Sequence, residues 1–234
     1  MNKLEFKEGL KNGIPICLGY YSVSIAFGLS AVNMGIPVWL AVLMSLTNLT
    51  SAGQFAGVTL LAAGGSYLEL AVSMLIINAR YLLMSLSVSQ KVNQFFTTKK
   101  RLMASYGITD EIYAMSMQRE KELSFSYMVG LIITPVAGWS LGTLTGGIAS
   151  TLLPTVLTEA MGIALYGMFI AIIVPAAKKQ KNVLFAVVMA IAISYVFAYV
   201  SVFNNISSGW AIIIITILVS GISAILFPIE EEGK

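Results

Sequence analysis

The sequence predicts an all-α polytopic membrane protein of about seven transmembrane helices, built as a single integral membrane domain over residues 1–234. Two observations carry this. Apolar residues make up 57% of the chain and charged ones 11%, against about 25% charged in an ordinary soluble domain. The few charges are also segregated, since 12–68, 123–158, 160–177 and 182–229 contain no Asp, Glu, Lys or Arg. A helix needs about 20 mainly apolar residues to cross a bilayer, and these runs supply several such lengths.

Taken in order, residues 1–12 are polar, with Lys3, Lys7, Lys11, Glu5 and Glu8, and predict a short interfacial helix. The first span follows from about Gly13 to Val32. The second segment, Ile36 to about Gly64, is too long for one straight crossing. It is interrupted by Thr47-Asn48-Leu49-Thr50-Ser51-Ala52-Gly53-Gln54, which predicts a broken helix at a place where protein or water satisfies the freed backbone. A third span, Tyr67 to Gln90, closes a first group over 13–90. Residues 91–122 form the one sizeable polar stretch, expected as a cytoplasmic loop whose half-apolar middle lies against membrane or protein. Further spans are expected at about Phe125–Gly147, Thr158–Ala177 and Asn182–Phe203, completing a second group over 123–203. The seventh, Gly209–Phe227, lies with an acidic tail in 204–234.

Seven crossings place the basic residues of 91–122 and 178–181 on one side, which puts the C-terminus in the cytoplasm and the N-terminus outside. The N-terminal lysines dissent. A re-entrant pair in place of the second crossing would return them to the cytoplasm. A shift of 114 residues aligns Gly28 with Gly142, Gly53 with Gly167 and Phe55 with Phe169. Three spans per copy then imply a 3+3 inverted repeat plus one extra helix, an arrangement that places substrate sites at the midplane.

With no histidine and one cysteine, Cys17, the chain cannot build an N/S zinc site, a disulfide or Ser-His-Asp chemistry. It has no G-x-x-x-x-G-K-[ST] loop, and its net charge of +3 is too small and scattered to imply nucleic acid. No metal, cofactor or catalytic constellation is expected. The chemistry that remains is that of a transporter or a membrane scaffold.

Arg80 carries the strongest signal. An arginine at a helix centre costs roughly 2.5 to 3.5 kcal/mol on insertion scales, so it requires a partner. That partner is a substrate carboxylate or a structural one, with Glu159, Glu69 or backbone carbonyls available. Asn78 sits about 200° from Arg80 around a regular helix. Ser51, Gly53 and Gln54 mark the helix break, where a new N-terminus favours a carboxylate. Gly53-x-x-x-Gly57 serves equally as a packing face. Glu159 can bind a substrate ammonium or carry a coupling ion. Gly138, Gly142 and Gly146 read as a packing stripe, and Thr109 or Asp110 as a helix cap with Glu111 on the dipole.

The runs A-F-G-L-S-A (26–31), S-L-T-N-L-T-S-A-G-Q-F (45–55), L-L-A-A-G (60–64), N-A-R-Y-L-L-M-S-L-S (78–87) and I-T-D-E-I-Y-A (108–114) resemble the AzlC family. The resemblance follows the family's order along nearly the whole chain. It implies a multi-pass permease of the bacterial plasma membrane that exports leucine, isoleucine, valine or similar neutral amino acids. It also implies ion-gradient coupling and a small hydrophobic AzlD-like partner subunit. The position after Arg80, usually histidine in that family, is Tyr81 here, so no imidazole titrates there. Two functions are therefore expected to compete. One is an exporter binding substrate through Arg80, Gln54, Gly53, Ser51 and Asn78, with Glu159 for the ammonium or the coupling ion. The other is a non-transporting scaffold with Arg80 in a structural ion pair.

Overall fold

The computed structural model describes residues 2–152, 154, 170, 173–203 and 206–228. Its helices are α1 (Lys3–Asn33), α2 (Val38–Thr47), α3 (Ser51–Ala62), α4 (Tyr67–Lys91), α5 (Thr98–Ser105), α6 (Asp110–Gln118), α7 (Phe125–Leu152), α8 (Lys181–Tyr199) and α9 (Ser208–Leu226). Five of them, α1, α4, α7, α8 and α9, are long and apolar enough to cross a membrane. Most of the span expected at 158–177 lies outside the described residues. Two compact units divide the chain, Met1–Thr59 with Ile77–Ala164, and Leu60–Ile76 with Leu165–Lys234.

In the first unit α1 and α7 lie backbone against backbone. Side chains added at Gly9, Gly28 and Gly146 would collide with the carbonyls of Tyr127, Thr143 and Ile25. Between membrane helices the hydrophobic effect is weak, so close approach of small residues supplies the attraction. The expected stripe Gly138, Gly142 and Gly146 is this packing face. Ascending positions on α1 meet ascending positions on α7, so the two helices are parallel. That corrects the inverted repeat, in which the first and fourth spans would run in opposite directions. The residues expected as a separate interfacial helix are the first turns of α1, capped by Asn2, whose Oδ1 accepts from Leu4 N at 3.1 Å. They are tied to the segment before α7: Arg119 donates to both oxygens of Glu8 at 3.1 and 3.0 Å and stacks over the Tyr127 ring. The chain start and the 91–122 segment therefore share one face of the unit, against the expectation of opposite sides.

The second apolar segment is a hairpin. α2 descends along α7 from Gly147, where a Cβ would lie 3.0 Å from Val38, to Thr143, whose Oγ1 is 2.8 Å from Ser45 Oγ. The chain breaks at Asn48–Thr50, and α3 then returns in the direction of α1. Thr50 lies in one cavity with Thr109, which bonds Tyr20, whereas Phe55 packs edge-on to Phe27 at 5.3 Å. The single broken crossing expected over 36–64 is thus a re-entrant pair.

Residues 91–122 do not form an open loop either. α5 rises beside α4, with Arg101 donating to Ser89 O at 3.0 Å, and α6 descends beside it. Asp110 pairs with Arg80, Tyr113 Oη lies 3.2 Å from Ser87 Oγ, and Lys91 donates to Met117 O at 2.7 Å. The apolar residues of this polar stretch explain the fold-back: Ala104, Ile108 and Ile112 are buried in one core with Tyr127, Met128 and Leu131 of α7. The α5–α6 hairpin enters from the face carrying the chain start, and the α2–α3 hairpin enters from the opposite face.

In the second unit α8 and α9 are antiparallel, with Phe185 near the start of α8 packed 5.4 Å from Phe227 just beyond α9. The turn between α3 and α4 uses Gly64 at φ 72°, a conformation glycine adopts without strain. Beyond it, Glu69 Oε1 accepts from Ser207 Oγ at 2.5 Å and from Trp210 N at 3.1 Å, closing the first turn of α9.

Candidate functional site

The two hairpin tips meet. Asn48, Leu49 and Thr50 of the first and Ser105, Tyr106, Ile108 and Thr109 of the second line a cavity of about 120 Å³, walled on one side by Asn78 and Tyr81 of α4. Tyr106 Oη donates to Leu46 O, which fastens one tip to the other.

Local sequence explains both tips. Asn48 is extended at φ −143° and ψ 108°, and its Oδ1 accepts from Thr50 N at 3.4 Å. Thr50 then caps α3, its Oγ1 accepting from Gly53 N at 3.3 Å. Thr109 occupies the cap position of α6 at φ −122° and ψ 175°. Both helices therefore begin at the cavity, and each start carries partial positive charge from unpaired N–H groups. Asn78 Oδ1 is buried there with no partner, an acceptor without a donor. The cavity thus offers positive helix ends and a free carbonyl-type oxygen, which together match a small zwitterion.

Arg80 stands beside this cavity. Its Nη2 is 2.9 Å from Asp110 Oδ2 and 3.5 Å from Tyr81 Oη, which in turn donates to Thr50 Oγ1 at 3.4 Å. The guanidinium is about half exposed, at 49%, so part of its donor set stays open. The partner of Arg80 is therefore Asp110, one of the two residues expected as the α6 cap; Thr109 takes the cap itself and Asp110 is the first helical residue. Glu69, one of the partners expected, is bound instead to the start of α9.

The other expected site residues are distributed around the break. Gly53 packs on the cap, where a Cβ would lie 2.7 Å from Thr50 Cγ2 and 3.4 Å from Asn78 Nδ2. Ser51 is half-buried as the first residue of α3. Gln54 faces away from the cavity into a buried network. Its Oε1 accepts from Trp139 Nε1 at 2.6 Å, and its Nε2 donates to Ser45 Oγ at 3.2 Å. Glu159 lies outside the described residues. Asn48, Thr50, Tyr106 and Thr109 complete the cavity and were not among the expected site residues; Asn48 and Thr50 fall in the polar interruption of 47–54, whereas Thr109 was expected only as a helix cap.

The Gln54 network gives a stability prediction. Replacing Trp139 with Phe removes the donor to Gln54 Oε1 and leaves a buried acceptor unpaired, at a cost of about 1 to 3 kcal/mol. The purified variant should melt several degrees lower, and an unchanged melting curve would show that this bond contributes nothing.

A family model described as AzlC protein matches residues 15–153. The chain is 26% identical to the inner membrane protein YgaZ of Escherichia coli, over 76% of this chain and 75% of that one. It is 28% identical to an uncharacterized membrane protein of Helicobacter pylori, over 76% and 78%. It is 22% identical to the branched-chain amino acid transport protein AzlC of Bacillus subtilis, over 76% and 70%. No solved structure matches it. With the matched region covering both hairpins, their cavity and the α1–α7 pair, this multi-pass membrane protein belongs to the AzlC family.

Proposed function

We propose that the protein is a secondary transporter that exports branched-chain or similar neutral amino acids, driven by an ion gradient. The observation that supports this best is the convergence of two helix starts on one polar cavity at the meeting of two hairpins. The substrate carboxylate takes the N-terminal ends of α3 and α6, from Ser51 and from Asp110, with Gly53 closing the Thr50 cap behind it and Arg80 reaching in past Tyr81. The ammonium takes Asn78 Oδ1, and Glu159 is its further candidate. Leu49 and Ile108 supply apolar lining for the side chain. Gln54 acts one step back, holding α3 against α7.

Lys3, Lys7 and Lys11 lie on the same face as Lys99, Lys100 and Arg101, which assigns that face to the cytoplasm. The α5–α6 hairpin then closes the cavity from the cytoplasm and α2–α3 from outside. A small hydrophobic AzlD-like subunit is the proposed partner. Membership of a family that includes a branched-chain amino acid transport protein supports the substrate class. The ion pair of Arg80 with Asp110 favours one alternative, a non-transporting scaffold in which that pair is structural.

Counterflow of labelled leucine in proteoliposomes, with and without the partner, separates the two. Asn78→Leu and Thr109→Val should each lower counterflow by about tenfold, the loss of one polar contact of about 1.4 kcal/mol. Counterflow at wild-type rate in both variants would remove the cavity as the site. Its absence from the wild-type pair would leave the scaffold.

A further inference from the structure

We propose that the groove between α4 and α5 binds an anionic phospholipid, with one acyl chain in the groove and the phosphate at Arg101, and that this lipid sets the position of the α5–α6 hairpin. Only its effect on transport rests on the function proposed above. The groove has a volume of about 170 Å³. Val88 and Val92 on the α4 side, Phe96, and Leu102, Ala104 and Ile108 on the hairpin side form its apolar lining. Leu102 is 69% exposed, so the groove is reached from the surface of the unit. It runs the length of α5, from Thr98 to Ser105, about 10 Å at 1.5 Å per residue. A helix is about 10–12 Å across with its side chains and does not fit this volume, whereas an acyl chain does.

One end of the groove is basic. Thr98 and Arg101 of the first turn of α5 line it, and Lys99 and Lys100 share that turn. Residues 70–109 hold Arg80, Lys91, Lys99, Lys100 and Arg101 and no Asp or Glu. The adjoining segment, which bonds Lys91 O through Leu123 N, brings Glu120 and Glu122, but these alternate with Arg119 and Lys121. Arg101 is held in place by neutral acceptors. Its Nε donates to Phe96 O at 3.3 Å, and its Nη1 donates to Ser89 O at 3.0 Å and to Ser89 Oγ. The charge is therefore fixed at the groove and not neutralised, and Nη2 has no partner among the described residues. Neither Lys99, Lys100 nor Arg101 is ion-paired among those residues. Thr97 gives α5 no side-chain cap, so the first N–H groups of that helix add to the pull on an anion. A soluble anion would meet the charge but not the apolar depth, and a neutral lipid only the depth; an anionic phospholipid matches both. At the other end, Ser105 and Ile108 line the groove and the polar cavity alike. An acyl chain in the groove thus lies against the back of the cavity wall and spaces α5 from α4.

Phosphatidylglycerol with a photoreactive acyl chain, and phosphatidylcholine with the same chain, test this on the wild-type protein in liposomes. Mass spectrometry should place phosphatidylglycerol adducts on the peptides covering 85–108, about tenfold above phosphatidylcholine. Unlabelled phosphatidylglycerol should compete, and inorganic phosphate should not. Equal labelling by the two lipids overturns the proposal, as does competition by phosphate, which would mark a free-anion site. Arg101→Gln should bring the ratio of the two lipids close to one. Ser89→Ala removes a hydroxyl from the Arg101 contact but keeps the charge, and should keep the ratio. Lys3→Gln with Lys7→Gln, which removes charge elsewhere on the same face, should keep it too. A ratio that falls in all three, or in none, overturns the proposal. If Arg101→Gln does not fold, Lys99→Gln with Lys100→Gln carries the same test, since neither lysine bonds α4 among the described residues. Leucine counterflow in phosphatidylcholine liposomes should rise about threefold on adding phosphatidylglycerol, and not in the variant that has lost the lipid preference. Counterflow indifferent to phosphatidylglycerol overturns the effect on the hairpin. Should the wild type transport no amino acid in either lipid, the transport function fails by itself, and the labelling result still stands.

Discussion

Arg80→Ala is expected to lower leucine transport about 100-fold, equivalent to about 3 kcal/mol. Two losses combine. Asp110 is left without the cation that faces it at 2.9 Å, and the donors that Arg80 keeps open beside the cavity are gone. Asp110→Asn removes only the first and should cost about tenfold. If Arg80 served solely to hold the α6 tip, the two variants would lose equally and the double variant would be no worse. Proteoliposome rates for the three variants decide this, and equal losses would remove Arg80 from substrate binding.

Gly146→Val should abolish the folded protein rather than slow it. A Cβ there collides with the carbonyl of Ile25, which is backbone in the middle of a helix and has no rotamer to yield. Overpacking in a core costs about 1 to 3 kcal/mol where side chains can shift, and more where they cannot. α1 would have to leave α7, and with it would go the closely packed contacts at Gly9 and Gly28. Gly19→Ala and Gly221→Ala, where a Cβ meets nothing within 4 Å, are the controls and should melt as wild type does. Size-exclusion profiles and melting curves in detergent give the comparison. A Gly146→Val protein with the wild-type melting temperature would mean that α1 and α7 are not in contact.

Helix limits were legible in the sequence because charge and apolar length set them. α4 and α9 end within a residue of expectation, and the break fell at Asn48–Thr50, where polar residues interrupt an apolar run. The glycine stripe on α7 was legible too, since a four-residue period has few uses other than close packing. Direction was not legible. An apolar run of 36–64 has the same composition whether it crosses once or turns back, and only Ser45, Thr143 and Phe55 with their partners show the turn. The charges of 91–122 concealed a hairpin for a related reason. Lysines and arginines sit near its ends, while its tip at Tyr106–Thr109 is uncharged and inserts. Arg80 drew attention by its cost, but its partner lies 30 residues away on that tip, a distance no spacing pattern reports.

The parallel pairing of α1 and α7 also bears on how the protein is made. Ile25 and Gly146, which touch in the finished molecule, are about 120 residues apart, so at about 5 to 20 residues per second α1 waits roughly 6 to 24 s for its mate. During that interval its glycine face is open to lipid or to any other small-residue helix within reach. The biogenesis of this protein therefore has a vulnerable window that opens when α1 enters the bilayer and ends only when α7 leaves the ribosome.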